Sequence, residues 1–168
     1  MAKKKRVTSA KATPAVPEKS AEVSSLDIAA PLSATVQIQE VSLFETRLSM
    51  GSESSPGPDS GYIKIRIHDP LFGISHDPGD FWIIIPFSVI ATRDQSSDSE
   101  QGRIFTLEAS FKLFYHTDVL DSLDESIIEA FARTNGVYNA WPYWREFAQS
   151  MTSRMGLPPL TLPVFRLT

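Results

Sequence analysis

The longest apolar segment of the chain runs from Phe81 to Ala91 and is interrupted only by Pro86 and Ser88. Apolar side chains occupy both alternating sets of positions in it. This predicts a strand that is covered on both faces or that contributes to a subunit interface. Proline cannot donate a hydrogen bond to a neighbouring strand, so Pro86 indicates a bulge or a sheet edge. The segment is far shorter than the roughly 20 residues of a membrane-spanning helix, and no membrane insertion is expected.

Three further segments alternate apolar and polar residues in the manner of half-buried strands. The first begins near Ser33, and its alternation changes phase at Gln39–Glu40, which favours a β-bulge. The other two span residues 62–68 and 103–116. Residues 69–80 lie between strands and are rich in turn-forming residues, so we expect a loop there.

Two helices are predicted after the strands. Ser122 and Glu125 have the spacing of a capping box, and an apolar helical stripe follows that Gly136 can end. A second helix is expected to begin near Asn139, with Pro142 in its first turn, where a missing N–H is harmless. Four strands followed by two helices indicate an α+β fold with a four-stranded antiparallel sheet.

The first 30 residues differ from the rest in composition and charge. Residues 1–25 carry a net charge of +4, against −8 for the remainder, and contain no aromatic residue. They offer too little apolar area to offset chain entropy, so residues 1–30 are predicted to form a disordered basic tail and residues 31–168 one domain. No apolar segment follows the basic run at residues 3–6, which argues against a secretory signal and for a cytoplasmic location. A solvated tail is preferred there to a nucleic-acid patch.

Signals for catalysis are poor. The chain has no cysteine, no glycine-rich phosphate loop and no nucleophile elbow, and its overall charge of −4 does not favour nucleic acid. The best metal candidate is a His-Asp-Pro tripeptide that starts at His68 and again at His76, with Asp80 nearby. Because Asp-Pro also starts turns, we rank a metal-dependent enzyme far below the other interpretations. We expect no enzymatic activity, no cofactor and no metal.

Apolar side chains exceed what two helices and a four-stranded sheet can easily cover. The chain has ten Phe, four Tyr and three Trp residues. Such a surplus predicts oligomerisation or an exposed patch for another protein.

The sequence between residues 139 and 162 resembles the SecB protein-export chaperones. The shared elements are Pro142-Tyr143-Trp144-Arg145-Glu146, Arg154-Met155-Gly156 and Pro159-Leu160-Thr161-Leu162. Trp141, before the first proline, fits best the SecB-like branch linked to toxin–antitoxin systems. With strand order and spacing included, the resemblance extends over residues 33–165.

The resemblance implies an ATP-independent holdase that binds unfolded clients along apolar grooves and assembles as a homotetramer, a dimer of dimers, without a cofactor. The client could be a protein destined for export and transport, or an antitoxin. The residues expected to line the client groove are Leu43, Phe44, Leu71, Phe72 and Trp82. Trp141, Pro142, Tyr143, Arg145 and Glu146 form the expected structural helix motif, in which Arg145 either pairs within the protein or binds an anionic partner.

Two departures from the export chaperones concern the SecA motor. The family's C-terminal helix and tail would follow Thr168, where this sequence stops, and that tail helps to engage SecA. Glu40 lies at one position of the acidic SecA contact, but Phe44 occupies the neighbouring one. SecA as a partner is therefore doubtful, and a narrower client such as an antitoxin gains weight. The alternative function is a dedicated interaction or assembly module on the same fold, without general chaperone activity.

Overall fold

The computed structural model describes residues 24–51, 61–93 and 102–166. In these ranges five strands form one antiparallel sheet: β1 (Gln37–Met50), β2 (Tyr62–Ile67), β3 (Leu71–Ile74), β4 (Asp80–Thr92) and β5 (Arg103–His116). Its order is β1-β5-β4-β2, and β3 pairs with the other end of β4. The helices are α1 (Ser25–Ser33), α2 (Glu125–Phe131) and α3 (Val137–Arg154). The predicted α+β fold is confirmed, with one strand and one helix more than expected.

The helices cover one face of the two central strands, where the core lies. The residues of β4 and β5 on this face are all buried: Phe81, Ile83, Ile85, Phe87, Val89, Ala91, Phe105, Leu107, Ala109, Phe111, Leu113 and Tyr115. On the opposite, outer face of β4, Ile84 and Ser88 are also buried, whereas Trp82, Pro86 and Ile90 are half-buried. None of the described helices covers this face, so the predicted cover on both faces is not found within the chain, and the alternative of a subunit interface stays a prediction. The rings of Phe87 and Trp144 stack with centroids 5.4 Å apart and join the sheet to α3.

Pro86 lies in this central strand without breaking its pairing to β5. It stands opposite Ser110 on β5, and its carbonyl accepts a hydrogen bond of 2.9 Å from the His68 backbone N–H. The nitrogen and the carbonyl of one strand residue point to the same side. The missing N–H of Pro86 therefore faces the gap between β2 and β3. The predicted sheet edge exists as this local gap.

Residues 71–74, which the composition assigned to a loop, form β3 instead. Leu71 pairs with Ile84 and Ile74 with Phe81. Pro70 before the strand and Gly73 within it hide the alternation in the sequence, and the pairing with β4 decides the conformation.

The strand β1 contains two bulges. Its register against β5 shifts between Ile38 and Glu40 and again between Leu43 and Glu45. The first shift confirms the bulge that the change of phase predicted. The second places Phe44 in a bulge that the sequence did not reveal.

Gly136 does not end the first helix of the C-terminal half. A single π-helical turn, residues 132–136, joins α2 directly to α3, and Gly136 has a helical φ of −58°. A methyl group on Gly136 would lie 3.4 Å from Ile85 Cδ1, so the glycine permits a close approach of helix and sheet. The capping box is also absent, because Ser122 donates its hydroxyl to the Val119 carbonyl and Asp124 precedes the helix.

The predicted boundary of the tail at residue 30 is wrong for its last residues, which belong to α1. Ala29 and Leu32 of this helix are fully buried, and the side chain of Ser24 accepts a hydrogen bond from the Leu26 N–H at its start. With two apolar contact positions and Pro31 in its last turn, α1 has a weak helical signature. Its packing against α2 stabilises it. The predicted disorder of residues 1–23 lies outside the described residues. No helix in the described ranges is long and apolar enough to cross a membrane.

Candidate functional site

The helices leave both margins of their side of the sheet uncovered. Paired positions share a face of a sheet, so the partners of core residues point toward the helices. On β1 these partners form the β1 margin, and on β2 and β3 they form the β2–β3 margin. Each side chain is 39% to 66% exposed. The β1 margin consists of Ile38, Leu43, Leu48 and Met50, and the β2–β3 margin consists of Ile63, Ile67 and Ile74.

Each margin borders a strand edge that has no partner among the described strands. The 14 residues of β1 pair only with β5, and β2 pairs only with β4. Such an edge presents unpaired N–H and C=O groups to any extended chain that approaches. Backbone hydrogen bonds and apolar contacts are therefore available together along both margins.

The structure places the five predicted client residues at three separate locations. Leu43 lies in the β1 margin, and Phe44, 56% exposed, occupies the neighbouring bulge. Phe72 faces the helices from β3 and is half-buried. Leu71 and Trp82 lie on the outer face at the opposite side of the sheet. Since β5 and β4 stand between β1 and β3, these residues do not line one continuous groove.

The sequence did not single out the other margin residues. Ile63 and Ile67 were placed on the buried face of a strand by their alternation, and Ile74 was assigned to a loop. The signal for their exposure was the small number of predicted helices, which cannot cover a whole sheet face.

An aromatic and lysine cluster stands out on the outer face. The Lys112 Nζ lies 4.5 Å from the ring centroid of Phe114 and 5.2 Å from that of Trp82. Leu71, 60% exposed, completes this cluster beside Ile84. Glu40, the predicted SecA contact, is exposed opposite Phe114, and its role in docking stays a prediction.

The helix motif holds the segment after α3. The Trp141 Nε1–H donates to the Pro163 carbonyl at 2.9 Å, and the Arg145 Nε–H donates to the Leu162 carbonyl at 3.0 Å. Tyr143 and Glu146 are exposed. Because α3 begins at Val137, Pro142 lies in its second turn and not in the first as predicted. The Tyr138 carbonyl consequently has no N–H partner four residues later.

Three components of the suspected metal site, His68, Asp69 and Asp80, have other partners. The His68 Nε2 lies 2.9 Å from Ser88 Oγ, and Asp69 accepts a hydrogen bond of 2.6 Å from Arg133. Asp80 is engaged 2.6 Å from His116 Nδ1. The described part of the chain contains no group of three or more ligands that could hold a metal ion.

Two neighbouring groups at the end of β5 have shifted pKa values. The hydrogen bond to Asp80 is the main cause that raises the pKa of His116. Burial raises the pKa of Tyr115 to about 12, although a hydrogen bond of 3.1 Å from Asn139 opposes the shift. Tyr115 therefore acts as a neutral packing residue at physiological pH.

Comparison with known proteins identifies proteins that are similar in sequence to this chain. No protein-family model matches the chain. The SecB-like chaperones MT2006 and Rv1957 of two Mycobacterium tuberculosis strains are each 24% identical over 151 residues. These matches cover 82% of this chain and 81% of each relative.

A solved structure has the same fold. It contains M. tuberculosis Rv1957 in complex with a ChAD peptide from the HigA1 antitoxin and superposes with a TM-score of 0.71 at 24% identity. The match covers 84% of this chain and 98% of that one. The resemblance of this chain to the SecB-like chaperones is therefore confirmed in sequence and in fold.

Proposed function

We propose that this protein is an ATP-independent holdase chaperone that binds unfolded or non-native polypeptide segments, with an antitoxin as its client. The observation that carries the proposal is the pair of apolar margins, each beside a strand edge that pairs with no other described strand. The relative Rv1957, whose fold this chain shares, holds a peptide from an antitoxin, which supports the choice of client.

The margins suit an extended client. A client strand can add to an open edge through backbone hydrogen bonds, while its apolar side chains pack on the margin. Backbone bonds are independent of the client's sequence, so they suit a chaperone. Each fully buried apolar side chain contributes roughly 1.5–3 kcal/mol to such binding. The predicted client residues Leu43, Phe44 and Phe72 lie in or beside the margins, and we propose them as contacts.

We propose further that the protein assembles as a homotetramer in the cytoplasm, with the helical layers of two dimers packed against each other. Support comes from Tyr138 and Tyr143 of α3 and from Val164, which are 47% to 69% exposed. Their burial between subunits would leave the sheet margins accessible to clients. Sedimentation velocity of the full chain tests this arrangement, and a monomer at micromolar concentration would contradict it.

Aggregation of a chemically unfolded client tests the holdase activity. Light scattering should fall as the protein is added without ATP, with full suppression near one tetramer per client. If a folded oligomer in several-fold excess leaves the scattering unchanged, the holdase proposal is wrong.

The Phe44→Ser and Phe72→Ser variants test the placement of the site. Each should weaken client binding by about tenfold, because a buried aromatic contact is lost, and should leave the oligomer intact. Ile28→Ser, on the exposed side of α1 and outside both margins as defined, is the control. Unchanged affinity in both phenylalanine variants would refute this placement.

A dedicated interaction module is the second candidate. The complex of Rv1957 with a peptide from one antitoxin favours a narrow choice of partner. Client range separates the two functions, since a module binds one partner tightly, whereas a general holdase binds many unfolded chains weakly.

A further inference from the structure

The outer face of the sheet carries a flat apolar surface that contains one charged side chain. We call it the outer platform and define it by Leu71, Trp82, Ile84, Lys112 and Phe114. The pairing register places Lys112, Ile84 and Leu71 in one row across β5, β4 and β3. Phe114 and Trp82 stand in the adjacent row. The platform is thus contiguous, and it lies on the side of the sheet away from the helices.

Gly73 gives the platform its flatness. It is the partner of Trp82 on β3, and a methyl group there would lie 2.6 Å from Cζ2 and 2.9 Å from Cε2 of the indole. The ring of Trp82 therefore lies over the backbone of β3, in the space that any other side chain would fill. One face of the indole is consequently presented outward along the sheet surface.

Two aromatic rings contact Lys112 in the platform. Its ammonium lies within cation–π distance of both Trp82 and Phe114. None of the ion pairs among the described residues involves Lys112. Its neighbours across the strands are Ser42 and Ile84, which carry no charge. Among the described residues, no carboxylate forms an ion pair with this ammonium.

These contacts determine which segment the platform can accept. An uncharged apolar segment would remove water from the Lys112 ammonium without replacing it, which is unfavourable. A carboxylate among apolar residues replaces that water with a charge-assisted hydrogen bond. Glu40 borders the platform beside Phe114 and would repel a second carboxylate. The carboxylate of the bound segment should therefore approach Lys112 from the β3 side.

We propose that the outer platform is a second docking surface, selective for extended polypeptide segments in which an acidic residue lies between apolar residues. The carboxylate pairs with Lys112 while the apolar side chains cover Leu71 and Trp82. The proposal adds a second binding surface to the proposed chaperone function. It rests on that function because it takes the partner to be a polypeptide segment.

Trp82 reports binding directly. It is half-buried in the platform, whereas Trp141 and Trp144 are buried in the core. The probes are a peptide with blocked ends and the sequence Gly-Leu-Ser-Glu-Ser-Phe-Gly and its matched peptide with Gln in place of Glu. Titration of the full chain should change Trp82 emission, and the Glu peptide should bind about three- to tenfold more tightly, as a partly exposed charge pair allows.

Variants of Lys112 test the charge selectivity. Lys112→Gln should abolish the preference for the Glu peptide, and Lys112→Arg should keep it, because a guanidinium also stacks on aromatic rings. Arg154→Gln removes one positive charge at the end of α3 and should keep the preference as well. Raising the salt concentration should reduce the preference.

Three outcomes would overturn the proposal. They are equal affinity for the two peptides, an unchanged preference in Lys112→Gln, and peptide binding that leaves Trp82 emission unchanged. Light scattering with an unfolded client of low charge separates these failures from failure of the holdase function. If suppression persists while the peptide preference is absent, the platform is refuted and the chaperone function stands.

Discussion

At the scale of single residues, Pro86 correctly indicated a sheet edge, but that edge extends over only a short part of β4. It indicated a sheet edge within a segment whose composition indicated a strand covered on both faces. The edge exists only where Pro86 faces the gap between β2 and β3, since β4 is paired along both edges over most of its length. The outer face of the strand is only partly buried. The sequence shows that Pro86 cannot donate a backbone hydrogen bond, but the position of the gap depends on where β2 and β3 pair with β4.

Arg145 either pairs within the protein or binds an anionic partner, and a measurement of the free energy of unfolding can distinguish these two roles. Its guanidinium Nε–H donates to the Leu162 carbonyl. If its role is to hold residues 157–166, Arg145→Met should lower the free energy of unfolding by about 0.5–1.5 kcal/mol, the usual contribution of such a bond. Urea unfolding measures this, and limited proteolysis should cut the segment faster. Unchanged stability with weakened client binding would instead assign Arg145 to an anionic partner.

His116 should make stability depend on pH. The hydrogen bond that Asp80 accepts from the His116 ring raises the pKa of His116 above the ordinary 6.5, and a weaker contact with Asp118, 3.3 Å from Nε2, acts in the same direction. The folded state therefore binds the proton more tightly than the unfolded state. The stabilisation is complete below pH 6.5 and is lost as the pH rises through the raised pKa of the folded protein.

An NMR titration of the His116 ring measures that pKa, and melting temperatures at pH 5.5 and 8 measure its consequence. Asp80→Asn should return the pKa of His116 toward its ordinary value and reduce the pH dependence. Asp118→Asn, which removes the longer contact, should have the smaller effect. Equal pKa values in the wild type and in Asp80→Asn would contradict the assignment.

At the scale of elements, long alternating segments were predictable and short ones were not. β5 and β4 were evident because their composition agrees with their pairing over many residues. β3 and α1 have four and nine residues, and each takes its conformation from a neighbour. The bulge at Phe44 has the same origin, since only the register against β5 reveals the extra residue.

The helix α1 should contribute more to stability than its length indicates. Leu32 is fully buried against the core, so Leu32→Ala should lower the free energy of unfolding by about 2–5 kcal/mol through lost packing and a cavity. Ile28→Ala, in the same helix and partly exposed, should have an effect below about 1 kcal/mol. Urea denaturation compares the two variants. Similar small losses in both would show that α1 is dispensable for the fold.

At the scale of the whole molecule, the candidate site depends on what the helices leave uncovered. The sequence predicted a surplus of apolar area, to which Leu43 and Phe44 belong. The sequence could not separate Leu71 and Trp82 from that pair, because strand order decides which residues are neighbours. The sequence placed Ile63 and Ile67 on an interior face. Alternation shows which side chains share a face of the strand, but it does not show whether helices cover that face.

The gap opposite Pro86 also limits how far copies of this molecule can be joined through their sheets. An endless fibril needs two long edges, so that each added copy offers the next one a fresh template. Here one side offers the 14 residues of β1, which form one strand despite its two bulges, whereas the other side is broken between Ile67 and Leu71. A strand that adds to β1 therefore finds no equally long edge beyond β2 on which to repeat the step. A protein that exposes this much apolar surface beside open strands is in this way protected from polymerising itself.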